Sequence, residues 1–171
     1  MDDPDFREFV ELRYAQLLRT AYLLTGNREA AEDLVQSALL TTMRHWKRVS
    51  EPMAYVRRAM ANQRISLWRR IGSRELLTNF FPERAAPDGS HLRAERDALL
   101  SALNRLPARM RAVVVLRYCE DLSEAATAAA LGCSVGTVKS QSAHGLRRLR
   151  DLMSATGAEP ATVAALLGGT E

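Results

Sequence analysis

The chain of 171 residues contains few cysteines and histidines, the residue types that build disulfide frameworks and most zinc sites. It has two cysteines, Cys119 and Cys133, and three scattered histidines, with no metal-ligand spacing among them. We therefore expect no metal and no cofactor. The two cysteines are predicted to be reduced and buried, as small apolar side chains.

Long apolar runs and catalytic patterns are also missing. The amino terminus, MDDPDF, is acidic, so it does not resemble a signal peptide, and no stretch reaches the length of a membrane span. We expect a cytoplasmic protein without membrane insertion. The sequence shows no glycine-rich phosphate loop, no paired carboxylates in a plausible cleft and no nucleophile with a base, and it therefore predicts that the protein is not an enzyme.

Charge is distributed unevenly along the chain. Residues 1–43 carry four arginines and eight acids, whereas residues 44–74 carry nine cations and one acid, Glu51. An acidic segment followed by a basic one suggests one surface for a protein partner and another for nucleic acid. Arginine supplies 22 of the 24 cations, and alanine is abundant, which is typical of a GC-rich bacterial genome.

Hydrophobic periodicity predicts an all-α protein of two small helical domains joined by a flexible linker. Apolar residues at three- and four-residue steps indicate three helices within residues 1–70. Glycine and proline interrupt the pattern over residues 71–94, which we interpret as the linker. Helical periodicity returns over residues 95–153, and residues 154–171 form a tail.

Residues 122–150 have the spacing of a helix-turn-helix. Ser123 and Ser134 are suited to begin the two helices, and Gly132 supplies the backbone freedom of the turn between them. Val138 is placed to pack between the helices. Early residues of the second helix would then face base edges in the major groove, and the arginines near its end would face phosphates.

Several segments resemble the extracytoplasmic-function group of bacterial sigma-70 family RNA polymerase sigma factors, in an actinobacterial form. The matching segments are AEDLVQS (31–37), EPMAYVRRAMANQRISLWRR (51–70), LNRLPARMRAVVVLRYCEDLS (103–123) and LGCSVGTVKSQ (131–141). Ser37 replaces an acid that is usual in the family. Gln141, Ser142 and Gly145 stand where the family prefers basic residues or alanine.

The resemblance implies a sigma factor that binds core RNA polymerase and directs promoter recognition and transcription initiation. It divides the chain into a polymerase-binding and minus-ten domain (1–70) and a minus-35 domain (95–153). A flipped promoter base would bind near the loop 47–52. The resemblance also implies an anti-sigma factor as partner and a polymerase channel that receives the linker residues Leu76, Leu77, Phe80 and Phe81. We expect the free protein to be a monomer.

The candidate site residues fall into three groups. Those expected to bind core polymerase are Asp33, Leu34, Gln36 and Leu40. Those expected to bind the minus-ten element are Lys47, Arg48, Arg57, Arg58, Asn62 and Arg64. Those expected to bind the minus-35 element are Thr137, Lys139, Ser140, Gln141 and Arg147.

Two other functions fit parts of the sequence. A stand-alone helix-turn-helix repressor explains the second domain but not the acidic and basic halves of the first, and such repressors usually dimerise on palindromes. A helical scaffold would show no salt-dependent binding to nucleic acid. The aromatic residues near the basic helix, Trp46, Tyr55 and Trp68, could stack on bases, but their helical spacing favours packing in a core.

Overall fold

A computed structural model of the protein describes residues 3–71 and 91–157. All regular elements in these two ranges are helices, as the sequence predicts. The seven α-helices are α1 (Pro4–Thr25), α2 (Arg28–His45), α3 (Pro52–Ile71), α4 (His91–Asn104), α5 (Ala108–Val114), α6 (Glu124–Leu131) and α7 (Val135–Ser154). A 3-10 turn (Trp46–Arg48) follows α2, and a π-helical segment (Val115–Cys119) continues α5. None of the described helices is both long enough and apolar enough to cross a membrane.

The first three helices form the N-terminal module. Gly26 ends α1 in the left-handed conformation, with φ of 86°, and Asn27 then begins α2 by accepting a hydrogen bond from the Ala30 amide. Trp46 packs edge-on against Phe6, with ring centroids 5.1 Å apart. This contact fixes the turn after α2 against the start of α1, and the expectation that Trp46 packs is confirmed.

Helices α4 to α7 form the C-terminal module, and its last two helices are the predicted helix-turn-helix. Ser123 caps α6 by accepting from the Ala126 amide, and Ser134 caps α7 by accepting from the Thr137 amide. Gly132 has φ of 63°, and Val138 is fully buried between the helices. These local predictions are confirmed. Helix caps and turns depend mainly on residues that are neighbours in the sequence, so they can be predicted without knowledge of distant contacts.

The two modules pack directly against each other and share one hydrophobic core. Leu17, Leu24 and Met60 of the N-terminal module lie in the same cluster as Val113 and Leu116 of the C-terminal module. A second cluster lies within the C-terminal module and includes Leu103 and Leu149. The sequence predicts two helical domains joined by a linker, and the structure adds that the domains pack together, because apolar side chains on α1, α3 and α5 cover one another.

The expected linker and tail lie mostly beyond what the structure describes. Residues 72–90 and 158–171 are outside the described ranges. The apolar linker residues Leu76, Leu77, Phe80 and Phe81 therefore lie outside them as well. Helix α4 begins at His91, within the segment that the sequence assigned to the linker, and the division into domains stays a prediction.

Candidate polymerase and nucleic-acid interfaces

The candidate polymerase-binding residues lie on α2, and three of the four are exposed. Asp33 and Gln36 face solvent, and 52% of Leu40 is exposed. Leu34 is 9% exposed and belongs to the hydrophobic core. Leu34 therefore packs in the core and contributes little area for contact with polymerase. This follows from its position on the face of α2 that packs against α1 and α3.

The minus-ten candidates divide into an exposed and a covered set. Lys47, Arg48, Arg58 and Asn62 are exposed around the start and middle of α3. Arg57 and Arg64 are not: Arg57 is paired with Glu120 of the C-terminal module, and Arg64 is bound to a backbone carbonyl of α1. Arg64 is not accessible to a phosphate in this arrangement, and its assignment to the minus-ten element stays a prediction. Its side chain is 6% exposed, and its Nε donates to the Leu24 carbonyl at 3.1 Å.

Arg57 is bound by an acid of the other module. Its Nε donates to Oε2 of Glu120 at 2.6 Å, and the Thr20 hydroxyl donates to Oε1 of the same carboxylate. The side chains of Arg57 and Glu120 are 16% and 6% exposed. Glu120 thus joins α1 and α3 of the N-terminal module to the segment before the helix-turn-helix.

A second polar contact between the modules centres on Arg111. Its Nη1 donates to the Leu24 carbonyl at 3.0 Å and to Oδ1 of Asn104 at 2.7 Å. Burial, and after it the positive charge of Arg64, lower the pKa of Arg111 to about 9. Burial also lowers the pKa of Arg64. Two guanidinium groups therefore approach one carbonyl oxygen, with no ion pair to an acid among the described residues.

An open cleft of about 500 Å³ runs along the loop between α2 and α3. Arg48, Tyr55 and Arg58 line the wall contributed by the N-terminal module, and Leu122 and Ala126 line the wall contributed by the C-terminal module. The family resemblance implies that a flipped promoter base binds near this loop. In this arrangement the cleft is bounded by both modules, so its shape depends on their packing.

The minus-35 candidates lie on the early turns of α7. Lys139, Ser140 and Arg147 are exposed, whereas Thr137 and Gln141 are partly buried. The Thr137 hydroxyl is 2.9 Å from the Ser134 hydroxyl. Lys139 Nζ lies 3.8 Å from the carboxylate of Glu124, an exposed pair of little energetic value that a phosphate could replace.

Sequence reasoning missed the residues that join the modules. Thr20, Asn104 and Glu120 have no local pattern that indicates a distant partner. Arg111 has a weak local pattern, since it lies in helical phase with the buried residues Ala108 and Val115 on an otherwise apolar face. A cation on such a face is a sign of a buried polar contact.

These surfaces define a two-module, all-helical DNA-binding protein with a helix-turn-helix. Residues 9–74 match the family description "Sigma-70 region 2", and residues 96–149 match "Sigma-70, region 4". The chain is 40% identical over 150 residues to the RNA polymerase sigma-E factor of Streptomyces coelicolor, a match that covers 86% of this chain and 85% of that protein. It is 32% identical over 146 residues to the ECF sigma factor SigL of Mycobacterium tuberculosis, covering 80% and 81%.

A solved structure is similar across both modules. The sigma factor RpoE of Bartonella quintana, crystallised in complex with the anti-sigma factor NepR, matches with a TM-score of 0.70 and 27% identity over 89% of this chain and 98% of that one. The chain belongs to the sigma-70 family and is a sigma factor of the extracytoplasmic-function group. The stand-alone repressor is not favoured, because the relatives match both modules.

Proposed function

We propose that this sigma factor binds core RNA polymerase through the exposed face of α2 and presents α3 and α7 to the two promoter elements. The observation that supports this proposal most is that the exposed patch on α2 and the basic surface on α7 lie on different modules of one chain. Asp33, Gln36 and Leu40 form an exposed patch on α2, and Lys139 and Arg147 form a basic surface on α7, in the other module. One protein can therefore hold polymerase and DNA at the same time.

We assign the minus-35 element to α7, the second helix of the helix-turn-helix and hence its recognition helix. Lys139 and Arg147 contact phosphates, and Thr137, Ser140 and Gln141 lie where side chains of such helices reach base edges. Lys47, Arg48, Arg58 and Asn62 are assigned the minus-ten strand, since they are exposed beside the cleft or along α3. Arg57 can join them only after its contact with Glu120 is broken.

The protein acts in the cytoplasm, where polymerase and chromosomal DNA are found, and it has no enzymatic activity of its own. Polymerase supplies the chemistry. An anti-sigma factor binds it, as NepR does the RpoE protein in the solved complex that it resembles. The free protein is a monomer, with the predicted domains 1–70 and 95–153 as its two working parts.

Run-off transcription with purified core polymerase on genomic fragments tests this function, with Asp33→Lys as the diagnostic variant. Asp33 is exposed and does not belong to the hydrophobic core, so charge reversal should leave the helical circular dichroism unchanged. We expect its affinity for core polymerase to fall at least about tenfold, because like charges across an interface are strongly unfavourable.

Glu11→Lys is the matched control. Glu11 is also an exposed acid of the N-terminal module, but it lies on α1. Equal losses for the two variants would show that net charge, and not the α2 surface, controls polymerase binding. Absence of transcription by the wild-type protein with core polymerase on every fragment would contradict the function itself.

A further inference from the structure

Two buried arginines lie beside each other without an acidic partner. Arg64 and Arg111 are 6% and 5% exposed. Both donate to the Leu24 carbonyl, Arg64 through Nε at 3.1 Å and Arg111 through Nη1 at 3.0 Å. Neither forms an ion pair with an acid in the part of the chain that the structure describes. A buried charge is strongly unfavourable unless it is paired, so these two guanidinium groups need negative charge from another source.

The protein itself supplies only part of that charge. Leu24 lies in the last turn of α1, where the helix dipole places roughly half a negative charge. Loss of a proton does not supply the rest at neutral pH. Burial, and after it the charge of Arg64, lower the pKa of Arg111 only to about 9, so this side chain is still protonated at pH 7. Two positive charges therefore share the partial negative charge of one helix end.

Several N–H groups at this position also lack an acceptor. Arg111 Nε and Asn104 Nδ2 are buried without a hydrogen-bond partner. The other end of the Asn104 amide is held in place, because its Oδ1 accepts from Arg111 Nη1 at 2.7 Å. Arg64 donates only through Nε among the described residues. Unpaired buried donors are unfavourable, and a single negatively charged acceptor would both pair them and balance the arginines.

An open cleft connects Arg64 with solvent. It has a volume of about 430 Å³ and lies between α2 and the C-terminal end of α3, with Arg64, Arg70 and Asp33 among its lining residues. Arg64 is too deeply buried for the backbone of a DNA strand to reach it, whereas a single small ion can enter. The Asp33 carboxylate in the same cleft repels multiply charged anions more strongly than singly charged ones. The cleft therefore favours a small ion with one negative charge.

We propose that a small monovalent anion such as chloride binds between Arg64 and Arg111 and is part of the folded protein. The ion accepts hydrogen bonds from Arg64 and from the unpaired donors Arg111 Nε and Asn104 Nδ2, and it supplies the missing counter-charge. A spherical ion suits these donors, because it accepts from several directions and has no donor of its own to satisfy. The site goes beyond the function in transcription and does not depend on it.

The dependence of thermal unfolding on chloride tests the site. Potassium gluconate is replaced stepwise by potassium chloride at constant ionic strength, since gluconate is too large to reach the two arginines. Once chloride exceeds its dissociation constant, we expect Tm to rise by about 3 to 6 °C for each tenfold increase, because a ligand that binds only the folded chain stabilises it by mass action. A Tm that does not rise with chloride would overturn the proposal.

Arg64→Met removes one of the two charges and keeps a side chain of similar thickness. The Leu24 carbonyl remains paired in this variant, since Arg111 still donates to it. We expect Arg64→Met to lose most of the chloride dependence. Arg70→Met is the matched control, because Arg70 lines the same cleft and loses the same charge but is exposed. It should respond to chloride as wild type does. Equal chloride dependence in all three proteins would indicate an adventitious ion only and would overturn the site.

Asn104→Asp provides a second test that does not depend on Arg64→Met folding well. It replaces the amide beside Arg111 by a carboxylate of nearly the same shape, so the chain itself then supplies the counter-charge. In gluconate we expect this variant to unfold at a higher temperature than wild type, and chloride should add little further stability. A chloride dependence as steep as that of wild type would overturn the proposal, because the ion would then bind elsewhere.

Discussion

The two helices assigned to promoter DNA differ in how much of their charge the fold leaves accessible. On α7, the buried face consists of residues such as Val138, Leu149 and Met153, while Lys139 and Arg147 remain in solvent. On α3, the buried face includes Arg64, and Arg57 is paired with Glu120. Basic residues in a helix sequence therefore do not by themselves define a surface for DNA.

The difference has a structural cause. Among the described residues, α7 makes its main contacts with α4, α5 and α6 of its own module, so one face is enough to bury it. α3 packs against its own module and also against α5 and α6 of the other module, so two of its faces are covered. A helix covered on two sides retains fewer exposed side chains, and the cations on the second side must then find partners in the protein.

The largest expected effect compares the two left-handed glycines, one in each module. Alanine at Gly26 or Gly132 must adopt positive φ, at about 1 to 2 kcal/mol. At Gly132 an added Cβ has no neighbour within 4 Å, whereas at Gly26 it overlaps the amide group of Asn104. Displacing that amide also weakens its hydrogen bond with Arg111, so we expect Gly26→Ala to lower the free energy of unfolding by about 3 to 4 kcal/mol.

Denaturant unfolding of both variants measures this difference. The Asn104→Ala background provides the control, since removing the amide should reduce the cost of Gly26→Ala to nearly that of Gly132→Ala. Equal costs for the two glycines in the wild-type background would mean that the modules are not packed together in solution. Packing of the modules would then no longer explain why α3 exposes less of its charge than α7.

The sequence predicts the elements of this fold better than their arrangement. Helix ends at Gly26, Asn27, Ser123 and Ser134 follow from local chemistry, and the helix-turn-helix follows from four or five residues at fixed spacing. The packing of the modules depends on pairs such as Thr20 with Glu120, which are 100 residues apart. A single sequence contains no periodicity that relates such positions.

The same limit applies to the candidate site. Exposure of Asp33 and Gln36 on α2 could be predicted from helical phase, because Leu34 and Val35 between them turn towards the core. The burial of Arg64 could not, since arginine is almost never fully buried unless it is paired, and the carbonyl that accepts from it belongs to Leu24, 40 residues away in the sequence. The π-helical segment before Glu120 also has no sequence signal that we recognise.

The second prediction concerns DNA reading by α7. Alanine at Lys139 or Arg147 should weaken binding to all minus-35 sequences alike and make the salt dependence shallower by about one counterion. Gln141→Ala should instead change the preference at particular base pairs by about 1 to 3 kcal/mol. A panel of mutant promoters, bound at several salt concentrations, separates the two effects. Uniform loss for Gln141→Ala would reassign that residue to a backbone contact.

The third prediction uses Cys119, in the π-helical segment on the covered side. Burial, and after it the charge of Glu120, raise the pKa of its thiol from 9.0 to about 12. The folded protein therefore keeps this proton at pH values where the unfolded chain has lost it, and the stabilisation present below pH 9 falls as the pH rises towards 12. Arg111 acts in the opposite direction, because the pKa of its buried guanidinium is lowered.

Cys119→Ala isolates the thiol, since Arg111 is present in both proteins. We expect the destabilisation caused by Cys119→Ala to be constant between pH 7 and 8 and to shrink by about 1 kcal/mol between pH 9 and 10. Denaturant unfolding at these pH values is the measurement. A cost that stays constant up to pH 10 would show that the thiol is not desolvated, and hence that the covered side of the interface is open in solution.

The smallest expected effect compares the caps of two helices. Asn27 begins α2 and Ser134 begins α7, and alanine at either should cost about 1 kcal/mol of stability because one helix amide loses its acceptor. Ser134 additionally lies 2.9 Å from the Thr137 hydroxyl, so Ser134→Ala releases that hydroxyl at the start of the recognition helix. We therefore expect equal losses in denaturant unfolding but a changed minus-35 preference for Ser134→Ala alone. If Asn27→Ala alters the preference equally, the cap acts through general stability, and the Thr137 hydroxyl does not read DNA.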